Sequence, residues 1–321
     1  MKTLKEIYQA NEELNYIDSS LYSRYRVKAG LRNDNGTGVK VGLTKICDVI
    51  GYKFVHEKKY NIDGQLIYRG YPINYLVDKQ PKDRIFGFEE VAFLLIFGTL
   101  PTEEQLQEFK DYLLNFKMGP VDLQYETPNI LNALQIEVLK LYAKDPSADT
   151  DDLEERMMKG LNILASIPLF TFSYARNKVF KSYPYPDKSL AENILCMARG
   201  NDQYTLEEAR ILDTLLMVHA DHGGGNNSTF ANVVISSTGT DIYSCISAAI
   251  GSLKGPKHGG ANCKVTNMFK AIFHEVGFTT DKLTLKKIAN RLLDKDFFDH
   301  SGLIYGIGHA IYTKSDPRAL L

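Results

Sequence analysis

The sequence predicts an all-α protein, mainly helical, with one small β element near its N-terminus. Apolar residues recur at helical spacing through most of the 321 residues. Capping boxes, which mark helix starts, can be recognised at Thr102 and at Thr205. Glycines with β-branched and aromatic residues concentrate instead between positions 22 and 71, where short strands are expected. These three observations together indicate the fold class.

The β element is predicted to be a short hairpin. Residues 52–55 and 65–68 are rich in aromatic and β-branched side chains, and Asp63-Gly64 between them is a frequent turn pair. We therefore expect two strands with the turn at Asp63-Gly64. An amphipathic pattern at residues 3–14 predicts a short helix before the hairpin.

Helices are predicted for most of the remaining chain. Within one of them, Ile211, Leu215 and Val218 form an apolar stripe, and His219 continues the neighbouring buried face. Phe88 begins an apolar run that is expected to be buried. The predicted helical ranges are 102–116, 128–144, 150–176, 189–199, 205–220, 240–254, 261–276 and 284–293.

The overall composition argues against several functional classes. The formal net charge of −1 gives no basic field for nucleic acid or an anionic membrane. The apolar run at 91–97 is too short to span a bilayer, and the first residues lack an apolar signal core. The four cysteines are widely spaced and form no C-x-x-C pair. We expect a cytoplasmic protein with free thiols.

The candidate catalytic residues lie in three glycine-flanked histidine clusters in the last third of the chain. His219 and His222 precede three consecutive glycines, and His258 lies between Gly-Pro-Lys and Gly-Gly. His309 follows Gly-Ile-Gly, and Asp-Pro-Arg ending at Arg318 comes shortly after. Histidine titrates near neutral pH, and glycine lets the backbone approach a ligand closely. The three clusters together indicate one assembled site.

Each cluster also has a purely structural interpretation. His222 stands where its helix should end, so it either terminates the helix or turns towards a ligand. His258 precedes a helix N-terminus, which favours a neutral imidazole that can donate to a carbonyl, but the loop could equally carry an incidental histidine. Arg318 offers a bidentate fork for a carboxylate, or it is a surface arginine.

Other catalytic classes have weak support in the sequence. His219 and His222 are three residues apart with Asp221 between them, but neither H-E-x-x-H nor a cysteine ligand set occurs, so no metal is expected. The absence of G-x-S-x-G argues against a serine hydrolase. Neither a Walker loop nor a complete G-x-G-x-x-G follows a clear strand.

The order and spacing of these clusters resemble the citrate synthase family, including its relative 2-methylcitrate synthase. The resemblance is carried by Gly30-Leu31-Arg32, Ile62-Asp63-Gly64 with residues 66–71, residues 88–92 and 100–102, the three clusters, and Asp316-Pro317-Arg318. It implies a helical homodimer with a large domain at 1–260 and a partial small domain at 261–321. It also implies condensation of acetyl-CoA with oxaloacetate to citrate and CoA, with no metal and no permanently bound cofactor. The alternative of 2-methylcitrate synthase stays open.

The resemblance implies a role for each site residue. His258 would hydrogen-bond the thioester carbonyl as the methyl group loses a proton, and His309 would donate to the oxaloacetate ketone. His222 and Arg318 would hold oxaloacetate, whereas His219 is expected to be structural. The segment expected along the adenine of CoA is Leu303, Ile304, Tyr305, Gly306, Ile307 and Gly308.

In this family the carboxylate base lies well after the Asp-Pro-Arg element, which here would place it beyond Leu321. We therefore expect an incomplete small domain, a large domain without its final helices, and little or no synthase activity, since a general base contributes about 10²–10⁴-fold. The alternative is a non-catalytic helical dimer fragment that retains part of a CoA or dicarboxylate pocket.

Overall fold

Helices dominate the part of the chain that the structure describes, and the predicted fold class is confirmed. The computed structural model describes residue 18 and residues 20–25, 44–82, 85–119, 127–309 and 311–321. The chain divides into two units, Met1–Lys40 and Val41–Leu321. In the first unit the described element is helix α1 (Ser20–Tyr25). The helix predicted at 3–14 lies outside the described residues.

The second unit begins with the predicted hairpin, but the predicted turn is wrong. Strands β1 (Cys47–Val55) and β2 (Lys58–Tyr68) pair antiparallel, and Val55 opposes Lys58. The turn is therefore at His56 and Glu57, which both adopt positive φ angles of 47° and 64°. Such left-handed pairs match the twist of a two-residue hairpin. The pair Asp63-Gly64 lies inside β2 instead.

The glycine of that pair serves close packing rather than a turn. A Cβ atom on Gly64 would overlap the carbonyl oxygen of Ser315, and one on Gly51 would overlap the carbonyl oxygen of Ile311. The strands also shift register at Gly51, which lies opposite the Gly64 region. A glycine inside a strand often marks such a bulge or a close backbone approach. The last residues of the chain thus pack directly on the hairpin.

Short strand β3 (Tyr71–Pro72) extends the sheet in the order β1-β2-β3, and helices follow. The capping boxes at Thr102 and Thr205 are both present. The helices are α2 (Ile73–Asp78), α3 (Gly87–Phe97), α4 (Glu103–Leu114), α5 (Ile130–Lys144), α6 (Leu153–Arg176), α7 (Leu190–Arg199), α8 (Leu206–Val218), α9 (Asn227–Ser236), α10 (Ile242–Leu253), α11 (Ala261–Val276) and α12 (Lys282–Leu293). A short 3-10 turn, Pro317–Ala319, lies near the end.

Helix α9 was not predicted from the sequence. Its start is marked by the Asn226 side chain, which accepts a hydrogen bond from the backbone N–H of Ser228. Phe230, Val233 and Val234 recur at helical spacing along it, but none of its residues is buried. The apolar face of α9 is therefore exposed in the described part of the chain.

Five clusters of buried apolar residues lie in the described part of the second unit, and three of them bear on the site. The largest lies among α3 to α7, with Leu113, Leu169 and Met197 at its centre. A second cluster joins the hairpin to α2, α3 and α8. Residues 261–305 have a cluster of their own, built on Met268, Ile288 and Leu292 with Ile304 and Tyr305 packed against it. The domain boundary near Ala261 stays a prediction.

The buried face of α8 differs from the predicted stripe. Ile211 and Leu215 are 55% and 47% exposed, and His219 is exposed as well. Asp213 is buried instead, and its carboxylate accepts hydrogen bonds from the backbone N–H groups of Gly87 and Phe88, each at 3.0 Å. The free N–H groups at the start of α3 require such an acceptor. Asp213 thus lies on the buried face of α8 together with Ala209, Met217 and Val218, of which Val218 belongs to the predicted stripe.

A second carboxyl group is buried near Asp213. Glu89 is fully buried, and one carboxyl oxygen accepts a hydrogen bond from the backbone N–H of Leu190 at 2.8 Å. Burial, followed by the nearby charge of Asp213, raises the pKa of Glu89 to about 8. Glu89 is therefore protonated at neutral pH in the folded protein.

This raised pKa predicts a pH-dependent stability. The unfolded chain ionises Glu89 near its ordinary value of 4.5, whereas the folded chain ionises it near pH 8. The free energy of unfolding should thus fall by up to about 1.4 kcal/mol per pH unit as the pH rises through this window. The variant Glu89→Gln should show a shallower fall in urea denaturation between pH 5 and pH 9. The exposed Glu104→Gln on α4 is the control, and equal slopes for E89Q and wild type would contradict the assignment.

Candidate active site

The end of helix α8 is held by a buried tyrosine of the hairpin. The Tyr68 hydroxyl lies 3.1 Å from the carbonyl oxygen of Met217 and 3.0 Å from that of Asp221. It also accepts a hydrogen bond from the Asp221 backbone N–H at 3.2 Å. Tyr68 has no exposed surface, and burial raises its pKa, so the hydroxyl stays neutral. The residue that precedes His222 is therefore fixed in place.

The loop that carries His222 also lies against strand β1. The Asp221 carboxylate accepts a hydrogen bond from the Gly223 backbone N–H at 2.7 Å, which closes a tight turn around His222. Gly223 has a φ angle of 73°, and a Cβ atom there would lie 3.3 Å from a methyl group of Val49. A glycine is therefore required both by the backbone conformation and by the close approach.

The segment that carries His309 is seated on strand β2. The Tyr312 hydroxyl donates a hydrogen bond to the Gln65 carbonyl at 3.0 Å, and the Gly64 backbone N–H donates to the Ser315 hydroxyl oxygen at 3.1 Å. An exposed ion pair between Lys314 and Asp63, at 3.1 Å, adds a further contact. The segment that carries His309 is thus fixed to the same hairpin that holds the loop of His222.

The tautomer of His309 follows from its backbone contacts. Its Nδ1 atom accepts hydrogen bonds from the backbone N–H groups of Ile311 at 3.1 Å and Tyr312 at 3.0 Å. An imidazole nitrogen that accepts carries no proton, so in the neutral ring the proton is on Nε2. His309 therefore presents an N–H donor at Nε2.

His222, His309 and Arg318 converge on Tyr312. The His222 and His309 ring centroids are 4.9 Å apart, and the His309 ring stacks on Tyr312 at 4.7 Å. The His222 ring meets Tyr312 edge-on at 5.7 Å, and the Arg318 guanidinium carbon is 5.7 Å from the Tyr312 centroid. Three of the residues predicted from different positions in the sequence thus share one small volume.

His222 lacks a hydrogen-bond partner at its inner nitrogen. Its Nε2 atom is buried, and no polar group among the described residues binds it. Burial, followed by the positive charge of Arg318, lowers the pKa of His222 to about 4. The ring is therefore neutral at pH 7. A buried polar atom without a partner costs about 1–3 kcal/mol, which a ligand atom could offset.

The Arg318 guanidinium is oriented by Asp316. Its Nε and Nη2 groups donate to the two Asp316 carboxylate oxygens at 3.0 and 2.7 Å. This hydrogen-bonded pair raises the pKa of Arg318. Burial raises the pKa of Asp316, but the hydrogen bonds from Arg318 lower it by more, so the carboxylate stays ionised. Arg318 has five N–H donors, and the pair with Asp316 leaves the others for a ligand.

His258 reaches the loop of the first cluster through Asn226. The Nε2 atom of His258 lies 3.3 Å from the Asn226 amide oxygen. Asn226 is four residues after His222 in the same loop. Burial lowers the pKa of His258, which favours the neutral ring. Its position just before α11 depends on Gly260, because a Cβ atom there would overlap the carbonyl oxygens of the preceding loop.

The segment from Leu303 to Gly308 packs against the apolar cluster built on Met268, Ile288 and Leu292. The Tyr305 hydroxyl donates a hydrogen bond to Asp299 at 2.6 Å, and Lys264 pairs with the same carboxylate at 2.9 Å. Gly306 has a φ angle of 86° and lies against Val265. Leu303 and Ile307 point outwards, being 56% and 76% exposed. The remaining members of the segment are Ile304, which joins the cluster, and Gly308 with a φ angle of 99°.

Other functional groups in the described ranges are few. No set of three or more histidine, cysteine, aspartate or glutamate side chains among these residues is arranged to hold a metal ion. Within the same residues, no helix has the length and hydropathy to cross a bilayer. All four cysteines are free thiols, of which Cys47, Cys196 and Cys245 are buried and Cys263 is exposed.

Tyr312, Tyr68 and Asn226 were missed as site residues from the sequence. Each acts through a contact with a distant part of the chain, so local spacing carries no signal for Tyr68 or Asn226. Tyr312 follows His309 by three residues, and this proximity to the third cluster was the one available signal.

Comparison with known proteins finds similar sequences over most of the chain. A family model described as "Citrate synthase, C-terminal domain" matches residues 32–321. The chain is 37% identical over 270 residues to a citrate synthase of Haloferax volcanii, covering 80% of this chain and 66% of that protein. It is 33% identical over 265 residues to 2-methylcitrate synthase 1 of Corynebacterium glutamicum, covering 79% and 65%. The chain thus spans slightly less than two thirds of the length of these relatives.

Solved structures show the same similarity. A citrate synthase of Thermotoga maritima superposes with a TM-score of 0.66 at 29% identity, covering 89% of this chain and 70% of that one. A citrate synthase from Thermoplasma acidophilum, in ternary complex with carboxymethyl coenzyme A and oxaloacetate, has a TM-score of 0.63 at 24% identity, covering 88% and 68%. At that identity the second likeness concerns the fold alone.

The seating of the third cluster on the hairpin predicts the effect of one small substitution. In Gly64→Ala, the added methyl group would meet the Ser315 carbonyl and the Tyr312 ring, so the segment at 311–318 must move. We expect a loss of about 1–3 kcal/mol in the free energy of unfolding, together with faster amide hydrogen exchange in 311–318.

Gly119→Ala is the matched control, because a Cβ atom on Gly119 meets no atom within 4 Å. It should leave both measurements unchanged. Slow exchange in 311–318 of the Gly64→Ala protein would show that the segment is not seated on Gly64.

Proposed function

The chain belongs to the citrate synthase family, and from that premise we propose that its histidine site binds oxaloacetate for condensation with a short acyl-CoA. With acetyl-CoA the products are citrate and free CoA. The acyl-CoA acts as a substrate, so no permanently bound cofactor takes part in the proposal.

One observation carries this proposal: two imidazoles and a guanidinium converge around Tyr312 beside a buried nitrogen that has no partner among the described residues. His222 Nε2 has no partner among the described residues, and His309 offers an N–H at Nε2. Arg318 supplies the positive charge. A small dianion with a ketone oxygen fits such a set, since charged oxygens pair with the guanidinium and the other oxygens with the imidazoles.

The geometry supports a separate role for each group. An N–H donor aimed at the ketone oxygen stabilises the negative charge that develops there when the neighbouring carbon is attacked, and His309 carries this donor. Arg318 and His222 hold the oxygens of the substrate. His258, neutral and close to the start of α11, donates to the thioester carbonyl as the enolate forms.

The segment Leu303 to Gly308 is proposed to contact the adenine of CoA. Its positive-φ glycines, Gly306 and Gly308, give it an irregular backbone, and the contacts of Tyr305 hold it on the cluster of residues 261–305. An irregular backbone can turn N–H and C=O groups towards the edge of a planar base. The domain organisation proposed for this part of the chain, with a boundary near Ala261, agrees with that separate cluster.

The acyl group is proposed to be acetyl, with propionyl as the second candidate. Relatives named for both activities have similar identity to this chain, at 37% and 33%. A pocket discriminates one methylene by only about 1–3 kcal/mol, so small changes in its walls decide between the two substrates. Competing acetyl-CoA and propionyl-CoA assays distinguish these candidates.

We further propose that the protein is a cytoplasmic homodimer. The free thiols agree with a reducing compartment. Helix α9 exposes Phe230, Val233 and Val234 by 37%, 40% and 49%, and contiguous apolar surface of this kind favours association. The first test of the proposed function measures binding.

Oxaloacetate binding should depend on His222 and Arg318. We expect isothermal titration of oxaloacetate into the 321-residue chain to give a Kd that weakens about 10- to 100-fold in His222→Ala and in Arg318→Gln. This range corresponds to the loss of one hydrogen bond to a charged group, about 1.5–3 kcal/mol.

His219→Ala is the matched control, because His219 is exposed on the same segment and its Nδ1 contacts the Leu215 carbonyl. Its affinity should equal that of the wild-type chain. An absence of oxaloacetate binding by the wild-type chain, or equal affinities for wild type and both site variants, would refute the proposed site.

A further inference from the structure

We propose that Tyr312 is a positioning residue of this site, a side chain that contacts His309, His222 and Arg318 and orients all three. The inference rests on the proposed function, because it concerns how the same three residues are held for oxaloacetate. It adds a residue that itself donates nothing to the substrate, since its hydroxyl is engaged elsewhere.

The Tyr312 ring is fixed at both of its ends. Its hydroxyl donates to the Gln65 carbonyl at 3.0 Å, so the far end of the ring is tied to strand β2. A Cβ atom on Gly64 would come within 2.6 Å of the ring, which shows how closely the ring lies on the strand. Tyr312 is only 5% exposed. The hydrogen bond fixes the direction of the ring axis, and close packing on Gly64 restricts rotation of the ring about that axis.

Each of the three site residues uses the Tyr312 ring as its contact surface. His309 stacks on it at 4.7 Å with an interplanar angle of 26°, and His222 meets it edge-on at 5.7 Å and 85°. The Arg318 guanidinium lies 5.7 Å from the ring centroid, within range of a cation–π contact. Stacked and edge-on arrangements are the two favoured geometries of aromatic pairs. Their combination restricts the rotation of both imidazoles.

The backbone of the same residue sets the tautomer of His309. The Tyr312 N–H donates to His309 Nδ1 at 3.0 Å, next to the bond from Ile311. Stacking keeps the imidazole in the plane in which these bonds form. Loss of the ring would free His309 to rotate, and Nε2 would no longer be the only nitrogen that carries the proton.

A buried tyrosine that merely fills the core would behave differently, and the chain contains a close match. Tyr183 is 3% exposed, and its hydroxyl donates to the Ala165 carbonyl at 2.8 Å within the largest apolar cluster. It has the same residue type, burial and kind of hydrogen bond as Tyr312. Tyr183→Leu is therefore the control for a loss of stability alone.

The first measurement needs no ligand. Long-range ¹H–¹⁵N NMR spectra of the histidine rings report which nitrogen of His309 carries the proton, with the resonance assigned by His309→Gln. We expect the Nε2–H tautomer in wild type, Tyr312→Phe and Tyr183→Leu. In Tyr312→Leu we expect a mixture of tautomers. If Tyr312→Leu does not fold, Tyr312→Met offers the same comparison with more apolar volume retained.

The second measurement is the Kd for oxaloacetate by isothermal titration. Tyr312→Phe keeps the ring and loses one neutral hydrogen bond, so its Kd should rise by no more than about threefold. Tyr312→Leu should bind at least about tenfold more weakly than Tyr312→Phe, because the three binding groups lose their shared orientation. Tyr183→Leu should lower the melting temperature and leave the Kd unchanged.

The outcomes separate the two proposals. If wild type does not bind oxaloacetate, the proposed function fails, whereas the NMR comparison still decides the role of Tyr312. An unchanged His309 tautomer in the Tyr312→Leu protein, or an equal loss of affinity in Tyr183→Leu, would overturn the positioning role. Rescue of both the tautomer and the affinity by phenylalanine would establish that the ring orients the site.

Discussion

The site depends on the β1–β2 hairpin, because two segments that are far apart in the sequence both pack against it. On one side, the buried Tyr68 hydroxyl holds the end of α8, and with it the turn that carries His222. On the other side, Gly51 and Gly64 leave room for the final segment, which lies on the strands where any other residue would overlap it. Because both segments share one rigid support, two histidines that are far apart in sequence come within ring contact.

The electrostatics of the site follow from that proximity. Burial beside Arg318 and His309 keeps His222 neutral, with its pKa lowered to about 4. The Asp316 carboxylate orients the Arg318 guanidinium through two hydrogen bonds and partly neutralises its charge. The result is a pair of imidazoles beside one oriented cation, which suits a ligand that brings its own negative charge. Fixed donors also need no reorganisation when charge develops on a ketone oxygen.

Local chemistry in the sequence predicted much of the architecture. Capping boxes marked the starts of α4 and α8, and both are present because the hydrogen bonds involved span only three residues. The same local reasoning was wrong for Asp63-Gly64, where packing against Ser315 requires the glycine and the turn forms at His56 and Glu57 instead. It was also wrong for the face of α8, because Asp213 is buried to satisfy the first N–H groups of α3.

By itself, the sequence determined the helical class, the family resemblance and the candidate site residues. These depend on residue type and on spacing along the chain, and His222, His258, His309 and Arg318 were recognised in that way. The tertiary structure alone decided the protonation state of His222, the tautomer of His309 and the central place of Tyr312. Those properties arise from burial and from hydrogen bonds between groups that are remote in sequence, and no local pattern encodes the distance between such groups.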